Sequence, residues 1–412
     1  MKILFVVKSK EIETLGTMYL SSVVKQAGHK AKIVDIIEAP TTALAWEPDV
    51  IGYSVMTGDQ EKFIRLNHKL KAPLIFTSIF GGPHASFFPD DFKDNDEIDY
   101  IVQGEAENWM AEYLGYDVKY ADIDSIPWAD REDFKDYPIR DFIASRGCNH
   151  NCSYCYNSTW NKMFPSSPIV KVRDAEDVVS EIASTNPEFV YFQDSNFGVR
   201  MSWLRKFTEE YKKKVNVPYH IHSRPNLIDE DRAFLLHDSG CVSMKCALET
   251  ASDKLKALIN RGNMKNGDVY TASKWLKKYN IQLILQNILG LPTSTIEDDL
   301  YTLEVNIKTQ PAYAWCSIFQ PYPSTVLADF CIKERIYTGD FSEIADNFFD
   351  KSLLNFTDEH KEQIAVLQRI FAFCVEMQVM PEVDDLTWER LPKFIHSTMR
   401  TVGDRRMFPN II

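Results

Sequence analysis

Apolar and polar positions change period along the chain, and the changes divide it into regions. Residues 3–7 are an unbroken apolar run, the pattern of a strand buried on both faces of a parallel sheet. Residues 17–27 carry apolar side chains at the helical period, and Gly28 stands where a left-handed C-cap ends a helix. Residues 31–36, 50–55, 74–80 and 100–102 read as further strands. This alternation over residues 1–112 predicts a doubly wound, Rossmann-like α/β domain. Ligands of such folds lie beyond the carboxyl ends of the strands, which here carry Ser54-Val-Met-Thr57-Gly58, Gly81-Gly82-Pro-His84 and Gly104-Glu105. Paired glycines after a strand also mark ordinary turns, so the pattern alone leaves both readings open.

Residues 113–138 are rich in acids, contain Pro127 and Pro138 and show no sustained period, which reads as a linker. A second alternation then begins. Strands are expected at 139–145, 189–194, 218–223, 242–249, 281–289 and 314–320, with helices at 175–184, 202–213, 230–237, 253–260, 268–278 and 296–308. Six βα units predict a (βα)6 partial TIM barrel over residues 139–335. Residues 336–412 turn mainly helical, and 359–379 repeat apolar residues near i, i+3, i+4 and i+7, the stripe of a core-facing helix or of a cap over the barrel mouth.

A chain of 412 residues holds roughly two to three domains, and 45% hydrophobic with 25% charged residues is an ordinary globular composition. The net charge of -13 disfavours a nucleic-acid partner, which needs a basic surface; the run at Lys212, Lys213 and Lys214 reads as a solvated helix face. No stretch reaches the roughly 18 apolar residues of a membrane span, since 281–292 is interrupted by Gln282, Gln286 and Asn287. The apolar run at 3–7 is too short for a signal peptide and meets Lys8, Lys10 and Glu11, so a cytoplasmic location is expected.

The chemistry concentrates in one loop, where Cys148, Cys152 and Cys155 form a C-x3-C-x2-C spacing. Three thiolates on a tight loop hold three corners of a [4Fe–4S] cube and leave the fourth iron open to a small molecule. Structural zinc prefers two separated ligand pairs, and His150 sits too near Cys148 and Cys152 in sequence to complete a relaxed tetrahedron. A disulfide would leave one of the three cysteines over, without secretory context. The other five, Cys241, Cys246, Cys316, Cys331 and Cys374, are dispersed and read as buried free thiols.

With Tyr154 before the third cysteine, this loop resembles the signature of the radical S-adenosylmethionine (SAM) superfamily, whose partial barrel agrees with the six βα units. The resemblance implies that SAM chelates the open iron and that one electron from the cluster cleaves it to a 5′-deoxyadenosyl radical. It also implies a reductant such as flavodoxin or ferredoxin. Residues 1–147 contain no cysteine, which disfavours a methylthiotransferase with its second cluster, and the lone Cys374 disfavours a C-terminal auxiliary cluster.

A Rossmann-like domain with a Gly81-Gly-Pro-His84 loop and a Gly104-Glu-Ala-Glu107 segment, placed before such a barrel, resembles the cobalamin-binding class of the superfamily. Ser54, Thr57, Gly81, Gly82, His84, Gly104 and Glu105 are the cobalamin contacts that the resemblance implies. The Asp-x-His-x-x-Gly motif that gives cobalt a histidine is absent from residues 1–112, so the expected binding has no histidine ligand.

Strand alternation places Met244, Cys246 and Leu248 on one face and Lys245, Ala247 and Glu249 on the other. The apolar set belongs against helices, so Lys245 and Glu249 point inward, as an ion pair or as ligand contacts. Glu249-Thr-Ala-Ser252 resembles the family's Glu-Ser-Gly-Ser segment at SAM. Asp194 closes a strand, either at the amino end of SAM or as an N-cap of the next helix. Arg224 suits the SAM carboxylate through its planar fork, while His220 and His222, two residues apart, read as hydrogen-bonded core groups more readily than as a metal pair. Asn287-Ile-Leu-Gly290-Leu-Pro-Thr293 resembles the family's Gly-Leu-Pro-Gly-Glu run but lacks its carboxylate, and Gln320-Pro321-Tyr-Pro-Ser-Thr325 resembles Pro-Tyr-Pro-Gly-Thr. The implied SAM site comprises Tyr154, Asp194, Arg224, Glu249, Gln286, Gly290 and Pro321, with Tyr154 contributing backbone and its hydroxyl idle.

The expected protein is a radical SAM enzyme with [4Fe–4S], SAM and cobalamin as cofactors, a cobalamin-dependent C-methyltransferase acting on a small molecule, lipid precursor or peptide. Two rivals remain: a radical enzyme for rearrangement, cyclisation or dehydrogenation without cobalamin, and a non-catalytic iron–sulfur or zinc protein.

Overall fold

The computed structural model describes residues 1–134, 137–166, 168–344 and 347–407, with backbone alone for 403–407. The first sheet contains β1 (Lys2–Val7), β2 (Lys30–Asp35), β3 (Val50–Ser54), β4 (Thr77–Gly81) and β5 (Tyr100–Ile101). Its order is β2-β1-β3-β4-β5 and all its pairings are parallel, with Phe5 opposite Ile33 on one side and Gly52 on the other. The unbroken apolar run of β1 has the expected cause. Ile3, Phe5 and Val7 pack with Leu15, Met18 and Val23 of the helix Leu15–Gln26, while Leu4 and Val6 pack with Phe63, Leu66 and Leu70 of the helix Gln60–Lys71. Both faces of the sheet are therefore covered, and strand order reverses between β1 and β3, the switch point at which doubly wound sheets open a crevice.

Residues 113–134 lack a period but are anchored to this sheet. Tyr120, Ala129 and Phe134 join the core beneath the helix Leu15–Gln26, and Asn108 clamps the backbone of Tyr120 through both its amide atoms, at 2.8 and 3.0 Å. Carboxylates replace the missing ladder: Asp130 accepts from Ser21 at 2.5 Å and Asp133 from the Ile33 amide at 2.7 Å. The segment expected to link two domains is thus held by scattered side chains, which leave no periodic trace. Its residues 135 and 136 lie outside the described residues.

The second sheet has six strands, β6 (Ile139–Phe142), β7 (Phe189–Phe192), β8 (Tyr219–Ser223), β9 (Cys241–Glu249), β10 (Gln282–Leu289) and β11 (Tyr313–Ile318), in the order β11-β10-β9-β8-β7-β6. Each strand neighbours its predecessor in sequence, as the barrel reading requires, and β8 through β11 pair in parallel. Helices Ala175–Thr185, Met201–Lys214, Glu230–Asp238, Asn266–Lys278 and Ile296–Thr309 follow successive strands, close to the ranges the period predicts. Asp174, Asp229 and Thr295 cap three of them with side-chain oxygens.

The C-terminal stripe forms the helix Asp358–Met377, whose Leu367, Ile370, Phe371 and Cys374 pack with Ala314, Cys316 and Ile318 of β11. Its body is an outer layer on the last strand. The stretch before it reaches that strand's carboxyl end, where the Phe348 carbonyl accepts from the Ile318 amide at 2.8 Å and the Lys351 carbonyl from the Gln320 side chain at 3.1 Å. The helix Leu391–Met407 follows, and residues 408–412 of the predicted C-terminal region lie outside the described residues.

Candidate functional site

The cysteine loop is built by one glycine and a set of hooks. Gly147 has φ +93°, and a Cβ there would collide with the Ile169 carbonyl, so no other residue fits the turn into Cys148. Ser153 donates from its amide to the Ile259 carbonyl at 3.2 Å and from its hydroxyl to Leu258 at 3.0 Å. Asn260 donates to the Asn151 carbonyl at 2.7 Å and Asn161 to the Cys148 carbonyl at 2.8 Å, while Cys155 begins the helix Tyr156–Met163.

Each thiol faces an N–H donor. Asn196 lies 3.5 Å from Cys148 Sγ, Asn157 3.8 Å from Cys155 Sγ, and Arg261 Nη1 3.9 Å from Cys152 Sγ. Such donors stabilise negative charge on sulfur and are among the groups that set cluster potentials. Burial pushes the Cys155 thiol up to about 11 and raises Cys148. Among the described residues, no three His, Cys, Asp or Glu side chains converge on a single ion. Three thiols on one loop, each with its own donor, suit a group that carries negative charge on sulfur.

The alternation read for β9 holds: Met244, Cys246 and Leu248 are buried. The strand shifts register between Ala247 and Glu249, and Glu249 has φ +65°, a conformation that non-glycine residues seldom adopt. The shift aims its carboxyl at Tyr154, whose hydroxyl donates to Oε1 at 2.5 Å. The expectation that this hydroxyl is idle is therefore corrected. Burial raises the Glu249 pKa, opposed by Arg261 and by the tyrosine. Arg261 belongs to none of the motifs read in the sequence. It is 3% exposed, donates to the Ala247 carbonyl and lies 3.4 Å from the Tyr154 hydroxyl.

Asp194 is buried, but the following helix starts at Met201 with Arg200 at its N-cap, so Asp194 is not that cap. Arg224 is buried; its Nη2 lies 3.4 Å from Asn263 Oδ1, and its Nε has no hydrogen-bond partner. It lines a cavity of about 440 Å³ with Asn149, His150, Asn151, Asn260 and Asn263. A buried guanidinium with an unsatisfied donor fits a carboxylate ligand. His220 Nδ1 pairs with the Ser243 hydroxyl at 2.6 Å. Burial, with the charges of His222 and Lys245, pushes His220 down to about 3, and burial with Lys245 pushes the half-buried His222 to about 4, so both imidazoles are neutral.

Glu249 and Gln286 line a second cavity, of about 220 Å³, with Trp315, Ser317, Gln320, Tyr322 and Phe348. Pro321 lies between two of these residues. Gly290 has φ +63°, and the close approach this permits is taken by Ile364, to which a Cβ would come within 3.0 Å. Its amide donates to Asp299 at 3.0 Å, a buried acid nine positions on that sequence reading overlooked.

In the first sheet, Gly81, Gly82 and His84 are stitched to β3: the Val55 amide donates to Gly81 and the Val55 carbonyl accepts from His84, both at 2.9 Å. His84 is buried, with Nδ1 3.2 Å from the Thr57 hydroxyl and Nε2 3.0 Å from Asp91, so both ring nitrogens are engaged. The Gly104 amide donates to Ser86 at 3.0 Å, Glu105 pairs with Lys171 at 2.6 Å, and Ser54 ends β3. Ile12, Ile37 and Met56, which follow β1, β2 and β3, are 62%, 83% and 49% exposed. Glycine-lined turns beside exposed apolar side chains fit a broad amphipathic ring such as corrin.

Residues 142–304 match the radical SAM superfamily and residues 1–114 match the B12 binding domain. An uncharacterized methyltransferase of Pyrococcus horikoshii is 23% identical over 372 residues, covering 78% of this chain and 79% of that protein. The cytidylyl-2-hydroxyethylphosphonate methyltransferase of Streptomyces wedmorensis is 21% identical over 60% of this chain and 63% of its own length. Among solved structures, the radical SAM methyltransferase TsrM from Kitasatospora setae, with cobalamin and [4Fe–4S] cluster bound, superposes with TM-score 0.67 over 81% of this chain and 75% of that one, at 14% identity. No helix among the described residues is long and apolar enough to cross a membrane.

Proposed function

Because the chain belongs to the radical SAM superfamily, in the class with an N-terminal cobalamin-binding domain, we propose that it transfers a methyl group to an unactivated carbon of a small molecule, lipid precursor or peptide. It is an enzyme whose cofactors are a [4Fe–4S] cluster, SAM and cobalamin. When bound, the cluster and SAM supply a hydrogen-abstracting 5′-deoxyadenosyl radical, and cobalamin supplies the methyl group.

What supports this reading is that a match to the B12 binding domain over residues 1–114 stands beside a match to the radical SAM superfamily over residues 142–304. The chain's own part is to hold and orient. Cys148, Cys152 and Cys155 hold the cluster, and Arg224, with its unpaired Nε, takes the SAM carboxylate. Glu249 and Gln286 offer polar contacts in the 220 Å³ cavity, whose Trp315 and Phe348 walls suit the flat adenine. Tyr154 fixes the Glu249 carboxyl, while Asp194 would meet the amino end of SAM and Pro321 would shape the adenine end. Ser54, Thr57, Gly81, Gly82, His84, Gly104 and Glu105 form the cobalamin-side loops, in which His84 orders the turn and is spared from cobalt. An electron donor such as flavodoxin or ferredoxin would reduce the cluster.

The test is anaerobic reconstitution with iron, sulfide and hydroxocobalamin, followed by gel filtration and incubation with SAM and a strong reductant. The reading expects a corrinoid spectrum in the eluted protein and release of 5′-deoxyadenosine. A cobalamin-free eluate would return the chain to the rearrangement, cyclisation or dehydrogenation class, and no 5′-deoxyadenosine from cluster-loaded protein would overturn radical chemistry.

A further inference from the structure

A guanidinium withdrawn from water needs anionic company or hydrogen-bond acceptors, because its desolvation is repaid only by good geometry. Arg261 is 3% exposed and sits on the turn after the helix Asp253–Leu258. Its Nη2 is spent on structure: it donates to the Ala247 carbonyl and lies 3.3 Å from Met264 Sδ. Its Nη1 points at chemistry, 3.9 Å from Cys152 Sγ and 3.4 Å from the Tyr154 hydroxyl, which is itself bonded to Glu249. Arg224 and Arg261 are the cations whose charges bear on the Glu249 carboxyl, and of the two only Arg261 has a hydrogen-bond geometry onto a cluster thiol.

We propose that Arg261 is a positioning residue that sets the reduction potential of the cluster: its fixed charge beside Cys152 Sγ raises the potential, while its grip on Tyr154 and Ala247 locks the loop to the end of β9. This rests on the proposed iron–sulfur reading. The physical basis is that reduction adds one electron to a group already negative through its three thiolates, so a buried cation beside one sulfur favours the reduced state more than the oxidised. The neutral donors Asn196 and Asn157 on the other two thiols provide hydrogen bonds without charge, which leaves Arg261 as the charged donor of the three. Water screens little at such a site, so moving the charge is expected to be felt in full.

The experiment compares wild type, Arg261→Gln and Arg261→Lys, each reconstituted anaerobically without SAM or substrate. Iron and sulfide per chain are measured first, and the cluster midpoint is then read by an EPR-monitored redox titration. The expected result is wild-type iron content in Arg261→Gln with a midpoint shifted to more negative potential, and a smaller shift of the same sign in Arg261→Lys, which keeps charge but loses the fork. An unchanged midpoint in Arg261→Gln loaded to the wild-type level would overturn the proposal. If Arg261→Gln does not load, Arg261→Lys decides by the same criterion: a lower midpoint supports the proposal and an equal one overturns it. Wild-type protein that takes up no iron would instead defeat the iron–sulfur reading beneath it.

Discussion

Tyr154 and Glu249 stand 95 residues apart in sequence, yet the tyrosine hydroxyl donates to the carboxyl at 2.5 Å in the interior. The bond joins the cysteine loop to the end of β9, where a register shift and a positive φ turn Glu249 toward the loop. Tyr154→Phe leaves the buried carboxyl without this donor, which costs about 1–3 kcal/mol. The expected outcome is a lower unfolding midpoint in urea and slower release of 5′-deoxyadenosine, with iron content unchanged. Wild-type stability and rate together would show that the bond does not matter.

Asp299 is wholly buried, and burial pushes its carboxyl up to about 8, opposed by the Gly290 amide. The folded chain thus keeps a proton that the unfolded chain, with an ordinary carboxyl near about 3.9, releases earlier. Between these values the native state binds more protons, so stability contributed by this group falls as pH rises toward 8 and levels off above it. Asp299→Asn keeps an acceptor for Gly290 and does not titrate. Unfolding free energies of wild type and variant across this range should converge in acid and diverge toward pH 8, with the variant the more stable; parallel curves would refute the assignment.

Gly82 has φ +87°, and a Cβ would lie 2.8 Å from the Val55 amide nitrogen and 3.0 Å from its carbonyl oxygen, both hydrogen-bonded to the same turn. Gly82→Ala should destabilise the first domain by about 1–3 kcal/mol through backbone strain. Retention of hydroxocobalamin through gel filtration is expected to fall, while iron per chain stays at the wild-type value. Undiminished cobalamin retention would separate this turn from the corrin site.

The Glu13 carboxylate is fully buried, accepting from Arg140 at 2.8 Å and from the Asp141 amide at 2.7 Å, and it also pairs with Arg131. Glu13→Gln removes the charge that Arg131 and Arg140 share, Arg131 keeping Glu181 at 3.6 Å, and breaking such a buried pair costs about 3–5 kcal/mol. Urea unfolding measures this directly. A loss below about 1 kcal/mol would mean that the two arginines find other acceptors.

The alternation of β1 to β11 and the three-cysteine loop were legible because both are local. A parallel strand covered on both faces, as β1 is, reads as a continuous apolar run, and three cluster ligands on one loop must be close in sequence. Of the site residues chosen by motif, Arg224, Glu249 and Gln286 line cavities. Gly290 differs, since Ile364 fills its approach from a helix more than seventy positions on.

What the sequence by itself determined is the kind of chemistry and the two parallel sheets that carry it, since spacing and period are properties of neighbouring residues. Only the tertiary structure decided that residues 113–134 dock on the first sheet, that Tyr154 spends its hydroxyl on Glu249, and that Arg261 reaches Cys152 across 109 positions. Those contacts depend on a glycine turn, a register shift and the end of a short helix acting together, and a buried charge shows what it serves only when its partners surround it.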